Sequence, residues 1–358
     1  MYDSRWKSRF RKRLLKWFDV HKRDLPWRHR STRYRVWVSE IMLQQTQVAT
    51  VVDYYNRFMQ RFPELEDLAK AEQAEVLKLW EGLGYYRRAR QMHEAAQIVL
   101  DDFGGRFPDD FESALSLPGI GRYTAGAILS IADDQKLPVL EGNTIRLYSR
   151  LIELRENPRT TPNQRLLWEF AGEILPNKRC GDFNQALMEL GARVCKPKNP
   201  FCDSCPVKSQ CPTYIKGLQK IIPASSKPLK YEDLNEAVTV VARRGRFLVR
   251  QCGEGERWTG LWDFPRFVVS GKRATGQLEK QLKKLTGLNV ELEATDLQIK
   301  HAVTRFRITL DCFRSASVSG RLKSSAGEAF QWADLETLKG LPMSVTGRKV
   351  ADQLKKEL

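Results

Sequence analysis

Four closely spaced cysteines constrain the fold of this chain more than any other feature of its sequence. They follow the spacing C-x6-C-x2-C-x5-C and are Cys195, Cys202, Cys205 and Cys211. Loops this short keep four thiolates within reach of one centre, and such ligands suit zinc or an iron–sulfur cluster. A zinc knuckle ordinarily has two C-x2-C pairs and this segment has one, but spacing alone leaves both metals open. Four unrelated buried cysteines are the disfavoured alternative, because Pro206 and Pro212 each follow a cysteine in a polar segment.

The other cysteines and the N-terminus indicate a compartment. Cys180, Cys252 and Cys312 bring the total to seven, and an odd number argues against a disulfide framework. Residues 1–20 are basic and lack the apolar core of a signal peptide. Nor is there a run of roughly 18 apolar residues that could span a membrane. We therefore expect a cytoplasmic protein, in the bacterial cytosol or nucleoid, without a signal peptide or a membrane partner.

The chain carries a large excess of positive charge. Lys and Arg number 60 against 43 Asp and Glu, which gives a formal net charge of +17. Nucleic acid is the leading candidate for a polyanionic partner, and a basic protein without such a partner is the alternative. The length of 358 residues, with 42% hydrophobic and 29% charged residues, predicts two globular domains.

Hydrophobic periodicity predicts a mainly α-helical domain over residues 1–218. Apolar residues recur on one helical face after Val48. Similar stretches lie near 74–80, 88–100 and 122–132, and glycines at 82–84 and 104–105 separate them.

A linker and a second domain follow. Residues 219–232 are rich in proline, lysine and serine and are typical of a linker. The β-rich runs 237–242 and 246–251 flank a short Arg- and Gly-containing turn, which predicts a hairpin. Residues 305–313 alternate like a half-buried strand, and leucines at 278, 282 and 285 mark a helix. We therefore predict an α+β domain over residues 233–358.

Residues 117–127 predict a turn between two helices. Gly119 and Gly121 bracket an apolar residue and would leave amide N–H groups exposed at a helix N-terminus, an arrangement that binds a phosphate without reading sequence. A plain turn is the alternative.

Two glutamates also stand out in the sequence. Glu40 lies among apolar residues and is either solvent-facing at a helix start or buried with a raised pKa. Glu141 is, taken alone, a surface or helix-capping residue.

In combination, these features resemble the adenine DNA glycosylase (MutY) family of the endonuclease III, helix-hairpin-helix superfamily. The segments that carry the resemblance, besides the cysteine spacing, are 25–28, 37–51, 80–90, 117–128 and 183–192. It implies a helix-hairpin-helix glycosylase domain with an iron–sulfur cluster loop, whose four cysteines hold a [4Fe-4S] cluster. It also implies that Glu40 protonates the adenine leaving group. Tyr123 stands where relatives that cleave the DNA strand carry a Schiff-base lysine, so a monofunctional enzyme is implied.

The resemblance assigns further residues to DNA. Those implied to line the pocket for a flipped-out adenine are Arg23, Trp27, Arg28, Leu43 and Gln185. Those implied to fill the gap or contact the opposing base are Gln45, Leu83 and Tyr85, although Tyr85 could instead be a core aromatic.

The second carboxylate departs from the family pattern. A positively charged sugar intermediate needs a nearby carboxylate, and the family has Asp-Gly-Asn where this chain has Glu141-Gly142-Asn143. Three explanations of the longer side chain are open: the surrounding backbone compensates for it, the enzyme is slow, or the substrate differs. We favour compensation by the backbone. Asn143 is expected to orient the carboxylate or to bind a phosphate.

The C-terminal domain resembles the family's Nudix-like module through GLWDFP at 260–265. Near 280–288 it lacks the metal-binding glutamates of Nudix hydrolases, so it is expected to bind rather than hydrolyse. The family reads 8-oxoguanine through a Phe-Ser-His loop, where this chain has Val303-Thr304-Arg305. Thr304 keeps a hydroxyl for the lesion; the alternative is an ordinary turn.

The resemblance therefore implies a monomeric glycosylase acting on double-stranded DNA with A·8-oxoguanine or A·G mispairs. Two alternatives remain at this point. One is a related glycosylase with another target, such as thymine in a G·T mismatch. The other is a lesion-binding protein with impaired catalysis.

Overall fold

A computed structural model describes residues 2–224, 230–269, 275–323 and 329–357, so part of the predicted linker, residues 225–229, lies outside the described residues. The chain forms two compact units. The first contains residues 1–70 and 91–227, and the second contains residues 71–90 and 228–358. None of the described helices is both long and apolar enough to cross a membrane.

The helices that begin before residue 228 are mostly short and amphipathic. They are α1 (Ser4–His21), α2 (Pro26–His29), α3 (Arg33–Leu43), α4 (Val48–Arg61), α5 (Leu65–Lys70), α6 (Gln73–Leu79), α7 (Arg87–Asp102), α8 (Phe111–Ser116), α9 (Arg122–Asp133), α10 (Gly142–Leu151), α11 (Thr161–Ile174), α12 (Cys180–Arg193) and α13 (Pro212–Ile215). The predicted helical stretches are confirmed as α4, α6, α7 and α9.

The core of the first unit centres on α12. Phe10 and Phe18 of α1, Tyr148 of α10 and Phe183 of α12 are all buried in one hydrophobic cluster. Helix α12 also packs against α9, and α9 packs against α3. Direct packing therefore links the four helices that carry most of the predicted active-site residues, namely α3, α9, α10 and α12.

Two glycines allow α12 to approach its neighbours closely. A Cβ at Gly181 would overlap the carbonyl oxygen of Ser130 in α9 and lie 2.8 Å from the Cα of Ile131. A Cβ at Gly191 would lie 2.8 Å from the Cβ of Asn143 in α10. Both contacts are with fixed parts of the neighbouring helices, so a larger residue would have to push the helices apart.

The second unit is an α+β structure with two sheets. Its strands are β1 (Glu232–Val240), β2 (Ala242–Arg243), β3 (Arg246–Gln251), β4 (Trp262–Asp263), β5 (Arg266–Val268), β6 (Asn289–Val303), β7 (Phe306–Ser319) and β8 (Phe330–Ala333), and its later helices are α14 (Thr275–Thr286), α15 (Leu335–Gly340) and α16 (Val345–Glu357). One sheet has the order β5-β1-β7-β6, with β1 and β7 parallel. In the other, β3 pairs with β2, β4 and β8.

The predicted hairpin is only partly correct. Residues Arg244 and Gly245, both with positive φ, form the turn between β2 and β3. Residues 237–240, however, belong to β1 and pair with β5 and β7 in the other sheet. The apolar run continues through both strands because both faces of β1 are buried: Ala237 contacts the core beside α14, and Val238 contacts the core beside α16. The strand at 305–313 and the helix at 278–285 are confirmed as β7 and α14.

Residues 71–90 are held to the rest of the second unit by polar contacts. Glu81 accepts a hydrogen bond from Arg348 at 2.6 Å, and Lys78 donates to the carbonyl oxygen of Leu341 at 3.2 Å. Arg90 donates to the carbonyl oxygen of Thr259 at 2.6 Å. These bonds anchor the stretch that contains Leu83 and Tyr85.

We expect Gly181→Ala to destabilise the first unit, because the new methyl group has no space against α9. Overpacking of this kind costs about 1–3 kcal/mol, which thermal unfolding followed by circular dichroism would show as a lower midpoint. Gly172→Ala in α11 is the matched control, since nothing lies within 4 Å of its Cβ position; it should be neutral or stabilising, as alanine favours helices. Equal midpoints for the two variants would contradict the close α9–α12 contact.

Candidate active site

A cavity of about 430 Å³ in the first unit brings together most of the predicted catalytic and pocket residues. The predicted residues that line it are Arg23, Trp27, Arg28, Glu40, Leu43, Gln45, Tyr123, Glu141, Asn143 and Gln185. They come from five separate parts of the chain, which the packing around α12 brings to one place.

Glu40 lies on α3 and is only 4% exposed, so the buried alternative for this residue is confirmed and the solvent-facing one is wrong. The hydroxyl of Tyr123 donates a hydrogen bond of 2.6 Å to its Oε2 atom. Burial raises the pKa of Glu40 to about 7, although the Tyr123 hydrogen bond and the charge of Arg28 lower it. A carboxyl group in this state can hold a proton near neutral pH and release it to a bound base.

Glu141 both caps a helix and lines the cavity. It is the N-cap of α10, and its carboxylate accepts hydrogen bonds from the amides of Asn143 at 2.8 Å and Thr144 at 3.0 Å. The side chain of Asn143 also donates to it at 3.3 Å, while Arg146 holds the Oδ1 atom of Asn143 at 2.9 Å. Burial leaves the pKa of Glu141 above its ordinary value, although these backbone hydrogen bonds and the charge of Arg146 oppose the rise.

The two carboxyl groups therefore have different environments in one cavity. Glu40 is buried and accepts a hydrogen bond from the Tyr123 hydroxyl, whereas Glu141 receives two backbone donors and one side-chain donor at a helix N-terminus. Burial raises the pKa of both groups, while the hydrogen bonds and the helix N-terminus at Glu141 stabilise its anion. Two carboxyl groups with different hydrogen-bond partners in one cavity can divide the roles of proton donor and charge stabiliser.

The wall contributed by α2 and α12 contains a residue that sequence reasoning missed. Glu189 is 1% exposed and binds Arg23 at 2.6 Å and Arg28 at 3.2 Å. Arg28 in turn donates to the Oε1 atom of Gln185 at 2.9 Å. The signal was present in the sequence, because Glu189 follows Gln185 by one helical turn and so shares its face.

The glycine turn places Tyr123 over Glu40. Gly119 has φ +77°, and a Cβ there would lie 2.9 Å from the Cβ of Gln91, so both conformation and space favour glycine. Gly121 is the N-cap of α9 and, among the described residues, no side chain caps this helix. Both glycines are exposed, and Tyr123 follows in the first turn of α9. The turn thus presents backbone N–H groups to solvent and directs a side chain inward.

A second cavity, of about 490 Å³, lies within the second unit and includes Leu83, Tyr85 and Thr304. Tyr85 is 48% exposed, so the alternative that it is a core aromatic is wrong. Thr304 occupies the tight turn between β6 and β7 with φ 52°, a conformation that β-branched residues rarely adopt. Such strain is concentrated at functional positions.

The four clustered cysteines line one small cavity of about 30 Å³. Arg150, which is buried, lies 3.2 Å from the Sγ atom of Cys195 and also donates to the carbonyl oxygen of Lys196. Converging thiols beside a guanidinium suit a thiolate-bound cofactor, since the cation offsets thiolate charge. In the part of the chain that the structure describes, no three His, Cys, Asp or Glu side chains are arranged to hold a single metal ion.

Comparison with protein families defines the class of the protein. A model of the HhH-GPD superfamily base excision DNA repair proteins matches residues 38–173, and a model of the NUDIX domain matches residues 237–353. The structure of a thermostable thymine-DNA glycosylase superposes with a TM-score of 0.54 and 31% identity, covering 59% of this chain and 98% of that protein. An endonuclease III–DNA complex superposes with a TM-score of 0.52 at 19% identity, covering 62% of this chain and all of that protein, and it shows the fold alone.

The curated relatives are more specific. The adenine DNA glycosylase of Rattus norvegicus is 51% identical, and the match covers 95% of this chain and 77% of the rat protein. That of Buchnera aphidicola subsp. Schizaphis graminum is 36% identical, covering 72% and 75% respectively. The match to the Mus musculus protein, at 50% identity, spans only 42% of its length. The chain belongs to the adenine DNA glycosylase family.

We expect Tyr123→Phe to raise the pKa of Glu40 above its value of about 7. The hydroxyl lowers that pKa by donating to the carboxylate, and phenylalanine keeps the ring without the donor. NMR titration of protein carrying ¹³C-labelled glutamate carboxyls would measure the change. Tyr34→Phe is the control, because the buried Tyr34 hydroxyl donates to the carbonyl of Phe62 instead. A Glu40 titration that stays at the same pH in Tyr123→Phe would contradict the contact.

Proposed function

We propose that this protein is a monofunctional DNA glycosylase that removes adenine mispaired with 8-oxoguanine or guanine. The observation that carries the proposal is the pair of carboxyl groups in one cavity: Glu40 has a pKa of about 7, and the Glu141 carboxylate accepts three hydrogen bonds at a helix N-terminus. The family membership of the chain supports adenine as the excised base.

Hydrolysis would divide between the two glutamates. Glu40 gives its proton to a ring nitrogen of the flipped-out adenine, and the bond between that base and C1′ breaks as adenine leaves. Glu141 stabilises the positive charge that develops on the sugar. A water molecule then adds its hydroxide to C1′, and its proton restores the neutral form of Glu40. No amine takes part: Tyr123 occupies the hairpin position and contacts Glu40 through its hydroxyl.

Duplex DNA is the proposed substrate. The adenine must be rotated out of the helix to enter a cavity of about 430 Å³, at a cost of a few kcal/mol. The exposed turn at Gly119 and Gly121 provides uncapped N–H groups for a phosphate, and the net charge of +17 supports binding to the backbone. We further propose that the enzyme acts as a monomer.

The second unit is proposed to read the base opposite the adenine. Tyr85 offers an exposed ring and Thr304 an exposed hydroxyl, and both line one cavity with Leu83. The hydroxyl of Thr304 donates to its neighbour Val303 at 2.7 Å, so binding a lesion would require it to exchange this local bond for one to the base. The domain division proposed from the sequence, 1–218, 219–232 and 233–358, assigns this role to the last segment together with residues 83–85.

The four clustered cysteines are proposed to hold a [4Fe-4S] cluster. Such a cluster would tie together the loop that carries Cys195, Cys202, Cys205 and Cys211 and would give it a fixed surface for DNA. The support is the convergence of the four side chains on one cavity and the adjacent Arg150.

A panel of duplexes tests the function. Purified protein is incubated with DNA carrying A opposite 8-oxoguanine, A opposite G, A opposite C and T opposite G, and abasic sites are revealed by alkali. We expect cleavage of the adenine strands opposite 8-oxoguanine and G and none at thymine. Glu40→Gln should lose excision by several orders of magnitude while binding the A·8-oxoguanine duplex, because the amide has no proton to give.

The other outcomes of the panel identify the alternatives. Cleavage at thymine would assign another target base, and binding without any cleavage would indicate a lesion-binding protein. Full activity of Glu40→Gln would exclude Glu40 as the proton donor.

Thr304→Val, which keeps the branched shape without the hydroxyl, should reduce the preference for 8-oxoguanine over G if the second unit reads the lesion.

Metal content tests the cluster. We expect the purified protein to be brown, with absorbance in the visible blue, and to contain iron and sulfide. Cys205→Ser should lose both colour and iron. Cys180→Ser is the control in the same unit, because Cys180 donates to the carbonyl of Pro176 and lies outside the cluster cavity. A colourless protein that binds zinc would contradict the assignment.

A further inference from the structure

One wall of the cavity that contains Glu40 is held together by a buried carboxylate, that of Glu189. Glu189 of α12 accepts from Arg23 at 2.6 Å and 2.9 Å and from Arg28 at 3.2 Å, so it bridges two guanidinium groups. Arg193, on the same helix, approaches to 3.5 Å. Arg23 and Arg28 lower the pKa of Glu189 despite its burial. An ionised Glu189 is therefore the anionic centre of a cluster of cations.

The bridge fixes the orientation of Gln185. Arg28 donates through Nη2 to Glu189, through Nη1 to the carbonyl oxygen of Arg23 at 2.9 Å, and through Nε to Gln185 at 2.9 Å. A guanidinium group has donors only, so the amide atom that faces it must be the oxygen. The NH₂ group of Gln185 is then directed away from Arg28, and Gln185 lines the cavity. Of the two polar groups of the Gln185 amide, the NH₂ donor is the one that Arg28 does not bind.

The same bridge sets the charge beside Glu40. The titratable groups that act on Glu40 come from three other elements: Tyr123 from α9, Glu141 from the start of α10 and Arg28 from α2. The positive charge of Arg28 favours ionised Glu40, and Glu189 offsets that charge at hydrogen-bond distance. Removing the negative charge of Glu189 would leave Arg23 and Arg28 uncompensated on this side of the cavity.

We propose that Glu189 is a positioning residue of the adenine pocket: it orients the Gln185 amide through Arg28, and it offsets arginine charge so that Glu40 keeps its proton. The inference rests on the proposed function, since it assigns Glu189 a part in holding the acid ready. Glu189 acts through its neighbours and need not touch the substrate.

Single-turnover excision measured across pH tests this role in Glu189→Gln, which keeps the size of the side chain. Activity needs neutral Glu40, so the rate of the wild-type protein should fall as pH rises through the Glu40 pKa of about 7. This fall in rate is the descending limb of the pH–rate profile. In Glu189→Gln the limb should move to lower pH by about half a pH unit or more. The rate on that limb should therefore fall about threefold or more.

A double variant separates charge from structure. Arg23→Gln combined with Glu189→Gln removes one positive and one negative charge, so the net charge of the wall returns to that of the wild type. We expect the descending limb to move back toward its original pH. If Glu189 served packing alone, the double variant would be further impaired and the limb would not move back.

A control and a binding-independent measurement complete the test. Asp133→Asn removes a carboxylate that pairs with Arg33 at 2.6 Å outside the cavity, and it should leave the pH of the limb unchanged. NMR titration of the Glu40 carboxyl should show the same shift in Glu189→Gln without any substrate. If excision of adenine is absent but this shift occurs, the proposed function fails while the electrostatic coupling stands. A Glu40 titration unchanged by Glu189→Gln would overturn the inference.

Discussion

The burial of Glu40 beneath Tyr123 is the interaction on which the site depends. The 2.6 Å hydrogen bond between them joins α3 to α9 at the point where the glycine turn begins α9. Burial favours the neutral acid, and the phenol hydroxyl, together with Arg28, keeps this effect from becoming so large that the proton could not leave. The pKa of about 7 is thus a balance between a dry location and a small number of compensating groups.

The second glutamate, Glu141, is held in place by the start of α10. Glu141 folds back onto the amides of Asn143 and Thr144 and closes a capping box with the hydroxyl of Thr144, whose Oγ1 accepts from the Glu141 amide at 2.7 Å. These contacts fix the carboxylate at the helix N-terminus, and compensation for the extra methylene relative to aspartate stays a prediction. Gly191 makes room for this arrangement, because a Cβ there would press on Asn143.

Much of the architecture could be predicted from sequence, because helical periodicity, glycine breakers and the change to β-rich runs each report local structure. Several features could not. Residues 237–242 form one apolar run, but the run divides between two sheets, and only tertiary packing decides where. The burial of Glu40 was left open because apolar neighbours in sequence do not establish burial in space. The spacing from Gln185 places Glu189 on the same helical face, but a glutamate on a helix is usually solvated, and the two arginines that bind it come from a distant segment. The roles of the site residues stay predictions.

The second unit is discontinuous in sequence, and this has an evolutionary consequence. Its residues 71–90 are inserted within the stretch that forms the first unit, and they are anchored by Glu81 to Arg348 and by Arg90 to Thr259. A single recombination crossover between residues 90 and 228 would therefore take residues 71–90, with Tyr85, from one parent gene. The residues that anchor them, Thr259 and Arg348, would come from the other parent gene. Lineages that exchange this module by such an event inherit mismatched halves, so Glu81 and Arg348 are expected to change together rather than separately.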